Sequence, residues 1–253
     1  MEILGVLQAR MGSSRLPGKV LEPVLGVPMI GRQLERLHRI KGLSGLVVAT
    51  STDPADDPLV DYVAGIGYAV VRGSLDDVLG RFVDVLDRFS PEVVVRLTAD
   101  CPLVSPLVAD LVIESFVQNS PDYASNTLTP TFPDGLDIEV VRADALRWVL
   151  AQSTDAAEHE HVTLGVYRRP AHFRLLNVSG HLDYSDLRWT VDNADDLQFV
   201  RTVYERLYAA NEQFEFEDVL ELLQSEPAMS RTKHDAARNA ALRGLDTGAM
   251  HVE

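Results

Sequence analysis

Four short apolar runs, at residues 3–9, 45–50, 68–72 and 93–98, are rich in Val, Leu and Ile and lack polar alternation. Continuous runs of this length fit strands buried on both faces. Between them the apolar positions recur at helical spacing. Val78, Leu79, Phe82, Val83 and Leu86 form one stripe. That stripe predicts an amphipathic helix with Ser74 as its N-cap and with Asp76 and Asp77 in the first turn, where negative charge is favoured. Leu107, Val108, Leu111, Val112 and Phe116 repeat the spacing behind Pro106, which suits a first helical position. Strand alternating with helix predicts an α/β domain whose mainly parallel sheet is covered on both faces.

The alternation breaks near residue 120. Segments 122–126, 136–142 and 173–178 read as strands of a mixed sheet or of a side flap. A further strand is expected at Leu187-Arg188-Trp189-Thr190-Val191. It leads through Asp192 into a helix with Phe199, Val200, Val203, Tyr204 and Leu207 on one face. From Pro227 the chain is polar, with little periodicity before Ala236–Leu242, as in a loosely docked tail. The expected layout is one domain over residues 1–226, with a flap at about 120–165, and a tail over 227–253.

Composition narrows the function classes. An apolar share of 46% and a charged share of 24% are ordinary for a globular chain. No apolar run reaches the roughly 18 residues of a membrane span. The opening Met1-Glu2-Ile3-Leu4-Gly5-Val6-Leu7 lacks the basic segment and cleavage site of a secretory signal and reads as a buried strand, so a cytoplasmic protein is expected. A single cysteine, Cys101, excludes an intramolecular disulfide and a cysteine-cluster metal site, and reads as a packed residue. A net charge of −15 argues against general nucleic-acid affinity. Against it, the grouping of Arg10, Arg15 and Lys19 stands out.

Those cations lie in Gln8-Ala9-Arg10-Met11-Gly12-Ser13-Ser14-Arg15-Leu16-Pro17-Gly18-Lys19, directly behind the first strand. An open α/β sheet offers such loops to ligands at its carboxyl edge. Gly12 and Gly18 let backbone approach a ligand, main-chain N–H groups and Ser hydroxyls donate, and the cations offset charge, which suits a triphosphate. A Walker A loop has the form G-x-x-x-x-G-K-[ST], whereas here five residues separate Gly12 from Gly18 and Val20 follows Lys19. The G-x-G-x-x-G dinucleotide pattern is absent too. The plain alternative is a solvated Pro-Gly turn.

Two carboxylates hold equivalent places after strands. Asp100 follows Val93-Val94-Val95-Arg96-Leu97-Thr98-Ala99, and Asp192 follows Trp189-Thr190-Val191. Mg²⁺ prefers one or two carboxylates completed by substrate phosphates and water, and these two can converge on such a site. The competing role for each is a helix N-cap. Ser105 can relieve Asp100 of that role, and Asn193, Asp195 and Asp196 can relieve Asp192.

The loop Ala9 to Leu21 resembles, almost letter for letter, the opening motif of the spore coat polysaccharide biosynthesis protein F group of cytidylyltransferases, relatives of the CMP-sialic acid and CMP-deoxyoctulosonate synthetases. Further resemblances follow in order: Val48-Ala49-Thr50-Ser51, Gly73-Ser74-Leu75-Asp76-Asp77-Val78-Leu79, Asp100-Cys101-Pro102-Leu103, Pro133 to Glu139, Glu160-His161-Val162-Thr163 and Arg188 to Asp192. The resemblance implies a Rossmann-like nucleotide-diphospho-sugar transferase fold, a mixed, mostly parallel sheet flanked by helices. It implies CTP as donor, a small sugar-acid-like acceptor, Mg²⁺ on Asp100 and Asp192, phosphates on Arg10, Ser13, Arg15 and Lys19, and a homodimer through residues 120–165. Two departures stand out: Ala99 where Gly commonly precedes the Asp, and Arg238-Asn239-Ala240-Ala241-Leu242 in place of an acidic tail.

The expected catalytic groups are therefore Lys19, Arg10 and Asp100. The nucleotide-binding set is Ala9, Arg10, Gly12, Ser13, Arg15 and Lys19, joined by Arg72 at the end of a predicted strand. Arg96, Asp137 and Glu139 are acceptor-side candidates; Asp137 and Glu139 share a face of an extended segment. Glu158-His159-Glu160-His161 is not H-E-x-x-H, and histidines two apart diverge on a helix, which favours a structural or acceptor-side role over a metal site. Two rival functions remain at this stage. A glycosyltransferase of related fold would usually carry D-x-D, which Asp100-Cys101-Pro102 is not; a silent nucleotide-binding scaffold would have no need of a full set of phosphate and metal candidates.

Overall fold

Neighbouring residues of the apolar runs point into two different cores, as strands covered on both faces require. Leu7, Val48, Val93 and Val95 pack with Leu34, Phe116 and Val200 on one side of the sheet. Val6, Val47 and Val94 pack with Phe82, Leu86 and Leu146 on the other. The computed structural model describes residues 1–233. Along the chain run β1 (Ile3–Gln8), a small hairpin of β2 (Pro23–Val24) and β3 (Val27–Pro28), α1 (Met29–Leu37), β4 (Gly45–Ser51), α2 (Asp57–Gly65), β5 (Ala69–Gly73), α3 (Val78–Phe89), β6 (Val93–Thr98) and α4 (Pro106–Asn119). The second half adds β7 (Tyr123–Ser125), β8 (Glu139–Arg142), α5 (Ala143–Gln152), α6 (Ala156–Glu160), α7 (Leu164–Tyr167), β9 (Leu175–Asn177), α8 (Ala194–Leu207) and α9 (Phe216–Ser225).

Seven strands form one sheet in the order β5-β4-β1-β6-β8-β7-β9. Only β8 runs antiparallel to its neighbours. The strand order reverses at β1, with β4 on one side and β6 on the other, so the loops leaving β1 and β6 diverge around a crevice. A reversal of this kind is where open α/β sheets bind ligands. The late strands β7, β8 and β9 extend this same sheet.

Three local expectations are corrected. Asp77, not Ser74, caps α3 by accepting from Gly80 N–H at 2.8 Å, while the Ser74 hydroxyl accepts from Asp77 N–H at 3.0 Å and shapes the approach. On α4, capped by Ser105 as expected, Val108, Ala109, Val112, Ile113 and Phe116 are buried, but Leu107 and Leu111 face outward. Apolar side chains occupy more than one face of α4, so spacing alone does not choose the buried one. Residues 187–191 form no strand. They run extended across the loop ends, with Trp189 N–H donating to the Asp134 carbonyl at 2.6 Å and Val191 N–H to the Asp100 carbonyl at 2.8 Å. Their partners are single loop residues, so no ladder develops. The segment carries Asp192 to the end of β6.

Behind α9, residues 230–233 pair with 186–188 through Arg188 N–H to the Arg231 carbonyl and Lys233 N–H to the Asp186 carbonyl, at 2.9 and 2.8 Å. The Ala236–Leu242 periodicity and the Arg238–Leu242 departure lie outside the described residues.

Gly135 holds the extended segment in place. Its φ is +110°, and a Cβ there would lie 2.9 Å from the Trp189 carbonyl carbon and 3.0 Å from Thr190 N. Backbone cannot yield as a side-chain tip can. Gly135→Ala is expected to destabilise the fold by about 2 kcal/mol, from positive-φ strain and overpacking, as read by urea unfolding.

Candidate functional site

The crevice at the strand reversal opens into a cavity of about 900 Å³. One end is walled by the loop after β1, with Ala9, Arg10, Gly12, Ser13, Arg15 and Lys19. Thr98, Asp100 and Cys101 from the end of β6 form the floor, and Asp192 closes it from the extended segment. Asp137, Glu139, Glu160, His161 and Tyr167 line the far end.

The loop is shaped by its own chemistry. Gly18, at φ +76°, turns the chain so that its N–H donates to the Met11 carbonyl at 2.9 Å and a single 3-10 turn, Lys19–Leu21, can begin. Met11 N–H donates to the buried carboxylate of Asp56 at 2.7 Å. Asp56 also accepts from the Thr50 and Ser51 hydroxyls and from Ser51 N–H. Burial works to raise this carboxyl, but the Ser51 hydroxyl and Met11 N–H outweigh it and hold the pKa below its ordinary value. Asp56 thus anchors the loop from the end of β4.

The predicted carboxylates do converge. Lys19 Nζ lies 3.4 Å from Asp192 Oδ1 and 3.9 Å from Asp100 Oδ2, and donates to the Val191 carbonyl at 2.6 Å. Arg15 reaches Asp192 Oδ1 at 3.0 Å, and the buried Arg188 holds Asp192 Oδ2 at 2.7 Å. Burial tends to raise the Asp100 carboxyl; the Lys19 charge and the Thr98 hydroxyl, 2.6 Å from Oδ1, prevail and keep its pKa below the usual value. Neither aspartate caps a helix. Ser105 caps α4, and Asn193 caps α8 in a capping box with Asp196.

Among the described residues, no group of three or more His, Cys, Asp or Glu side chains gathers to ligate a metal. The Asp100 and Asp192 pair, facing one ammonium, fits a different habit. Two carboxylates beside cationic side chains suit Mg²⁺ where a phosphorylated ligand and water can complete its shell.

Arg72 lies apart from the other nucleotide-binding candidates. It sits on the edge strand β5, outside the cavity lining, and its guanidinium meets the Ser51 and Asp53 carbonyls at 2.8 and 2.9 Å and Asp57 at 2.7 Å. At the far end, Arg96 pairs with Glu139, whose other oxygen accepts from the Tyr123 and Thr163 hydroxyls. Both Glu139 oxygens are therefore engaged by protein donors, so Glu139 fixes Arg96 and has little capacity left for acceptor hydroxyls. Burial lowers the His161 pKa, leaving a neutral ring at the cavity wall. Burial raises the Cys101 thiol well above its ordinary value, as befits a packed residue.

Sequence reading missed four supporting residues. Asp56 hid in an acid-rich loop. Arg81 is 1% exposed within the apolar face of α3 and donates to the Ser74 and Leu75 carbonyls, fixing the segment that lines the cavity beside Arg10. A charge inside that stripe was the available signal. Arg188 and Asp192, four apart in an extended segment, share a face and are joined by an ion pair. Asp196 was read only as a capping alternative. It is buried, and burial would raise its pKa, but the Arg188 guanidinium and Asp192 N–H hold it below the ordinary value.

The fold and cavity together define an α/β protein with three cationic side chains and a carboxylate pair gathered at its strand reversal. A cytidylyltransferase family model matches residues 4–226. The chain is 34% identical over 212 residues to the spore coat polysaccharide biosynthesis protein SpsF of Bacillus subtilis, covering 81% of this chain and 87% of that one. It is 36% identical over 133 residues to the 8-amino-3,8-dideoxy-manno-octulosonate cytidylyltransferase of Shewanella sediminis, covering 51% and 53%. The structure of a cytidylyltransferase from Leptospira borgpetersenii serovar Hardjo-bovis superposes with a TM-score of 0.86 at 29% identity, over 90% of this chain and 96% of that one. The chain belongs to the cytidylyltransferase family.

His159 ties the far end of the cavity to α3. Its Nδ1 meets Asp77 at 2.8 Å and its Nε2 the Ser153 carbonyl at 3.0 Å. The Ser153 carbonyl and Asp77 both favour the protonated ring and raise its pKa above 6.5. The stabilisation is therefore complete below pH 6.5 and is lost as pH rises through the raised folded value. Thermal melts between about pH 5 and about pH 8 should show this loss in the parent and not in His159→Gln.

Proposed function

We propose that this protein is a Mg²⁺-dependent cytidylyltransferase that transfers CMP from CTP to a small sugar-acid-like acceptor and releases pyrophosphate. The observation that carries the proposal is the meeting of Lys19 with Asp100 and Asp192 at the strand reversal, beside a loop rich in cations and backbone donors. CTP as donor is supported by family membership, and a sugar-acid acceptor by the octulosonate named in a relative's activity.

In this reading the triphosphate lies along the β1 loop. Arg10, Arg15 and Lys19 neutralise it, and the loop's backbone N–H groups and Ser13 hydroxyl orient it. An acceptor oxygen attacks the α-phosphorus in line. The new O–P bond forms as the bond to the bridging oxygen breaks, the acceptor hydroxyl gives up its proton to solvent water, and the electron pair leaves on pyrophosphate. Asp100 and Asp192 would hold Mg²⁺, which supplies charge neutralisation and orientation of phosphate oxygens when bound. Lys19 and Arg15 then stabilise charge gathering on the leaving group, so positioning and electrostatics carry most of the rate. The acceptor lies toward Arg96, Asp137 and His161, with Glu139 holding Arg96 in place. The proposal also includes a cytoplasmic location and a homodimer through residues 120–165, in line with the family resemblance. Light scattering on the purified protein should return twice the monomer mass; the monomer mass alone would refute the dimer.

The direct test is pyrophosphate release with Mg²⁺, offering each common NTP with a panel of sugar acids, polyols and phosphonates. Release is expected with CTP and a sugar acid only. Lys19→Met should lower kcat by on the order of 100-fold with its melting temperature near the parent's, and Asp100→Asn should remove metal-dependent turnover. Parent-like turnover in either variant contradicts the assignment.

A further inference from the structure

The Asp192 carboxylate is held by a chain of charges that ends outside the cavity. Asp196 is 1% exposed, and each of its oxygens accepts twice. Oδ1 takes Arg188 Nη1 at 2.6 Å and Arg231 Nη2 at 3.0 Å. Oδ2 takes the backbone N–H groups of Asp192 and Asn193 at 2.9 and 3.1 Å. Arg188, also buried, extends its other terminal nitrogen to Asp192 Oδ2 at 2.7 Å. Asp196 thus controls Asp192 twice, through its main chain and through Arg188. Arg231 reaches this group in fixed register, because its carbonyl accepts from Arg188 N–H at 2.9 Å and Leu187 bridges antiparallel to Thr232.

We propose that Arg231, on the segment behind α9, is a positioning residue for the Asp192 carboxylate, acting through Asp196 and Arg188. The inference rests on the cytidylyltransferase reading only for its functional consequence. The four side chains carry two positive and two negative charges. Without Arg231, Asp196 draws Arg188 toward itself alone, and the fork that Arg188 opens between Asp196 and Asp192 is no longer balanced. Asp192 Oδ2 then loses a fixed partner, while Oδ1 remains under the pull of Lys19 and Arg15. A metal site needs its carboxylate held in one orientation, and outer partners of metal ligands commonly change affinity by about 10- to 100-fold.

The test compares full-length parent, Arg231→Met, Arg231→Lys and Asp192→Asn. Free Mn²⁺ is followed by its electron paramagnetic resonance signal in the presence of CTP, initial rates are measured against CTP and metal, and amide hydrogen exchange is followed over residues 188–193. Arg231→Met is expected to weaken Mn²⁺ binding about tenfold, with the KM for CTP at saturating metal unchanged and with faster exchange at Asp192 and Asn193. Arg231→Lys should recover part of the metal affinity. Parent-like Mn²⁺ binding in Arg231→Met overturns the proposal, as does a loss of CTP and metal affinity in equal proportion, which marks general unfolding. If the parent itself shows no CTP-dependent Mn²⁺ binding, the cytidylyltransferase reading fails, and exchange at 192–193 decides the positioning role alone: unchanged exchange refutes it.

Discussion

Two carboxylates from distant parts of the chain face one ammonium, and the backbone hydrogen bond from Val191 N–H to the Asp100 carbonyl ties together the segments that carry them. Carboxylates brought close together in a partly buried place repel one another unless cations offset the repulsion. Lys19, Arg15 and Arg188 supply the offset, each from a different structural origin: the turn after Gly18, the tip of the β1 loop and the extended segment. The carboxylate pair therefore requires all three segments to dock at the carboxyl ends of β1 and β6. The strand reversal at β1 leaves room for them there.

The protein as a whole carries a charge of −15, so its long-range field opposes a triphosphate. Physiological salt screens charges beyond about 8 Å, which leaves the near cations to decide binding. Arg10 and Arg15 stand exposed at the cavity mouth, whereas Lys19 is half-buried at its floor. In the proposed reading, capture and neutralisation of the triphosphate therefore fall to different side chains. Asp56, by gripping Met11 N–H, fixes the loop that carries both arginines.

The strands of the parallel half were legible because burial on both faces leaves a simple mark, an unbroken apolar run. The loop after β1 stood out because cations, glycines and hydroxyls crowd one short segment of an acidic chain. The buried face of α4 was not, because Leu107 and Leu111 offer an equally apolar alternative. Residues 187–191 looked like a strand because extended chain buried against loops has the same composition as extended chain buried in a ladder. The distance of Arg72 from the cavity was hidden for a related reason: sequence locates a strand end but not its place in the sheet, and β5 is at the edge, away from the reversal. Arg81, Arg188 and Asp196 escaped notice because their work is done on backbone carbonyls and on other charges brought near only by the fold.

The reversed strand β8 accounts for the far wall of the cavity. Its antiparallel course brings its first residue, Glu139, to the edge where the parallel strands end, and the register sets Glu139 opposite Arg96. Asp137, two residues earlier, projects past that edge on the same face. A parallel strand in this place would offer its carboxyl end to the cavity and leave the Pro133 to Asp137 turn on the opposite side of the molecule. That turn is the one through which Asp134 grips Trp189 and the extended segment. Reversing one strand thus builds the far wall and, through the same loop, steadies the segment that carries Asp192.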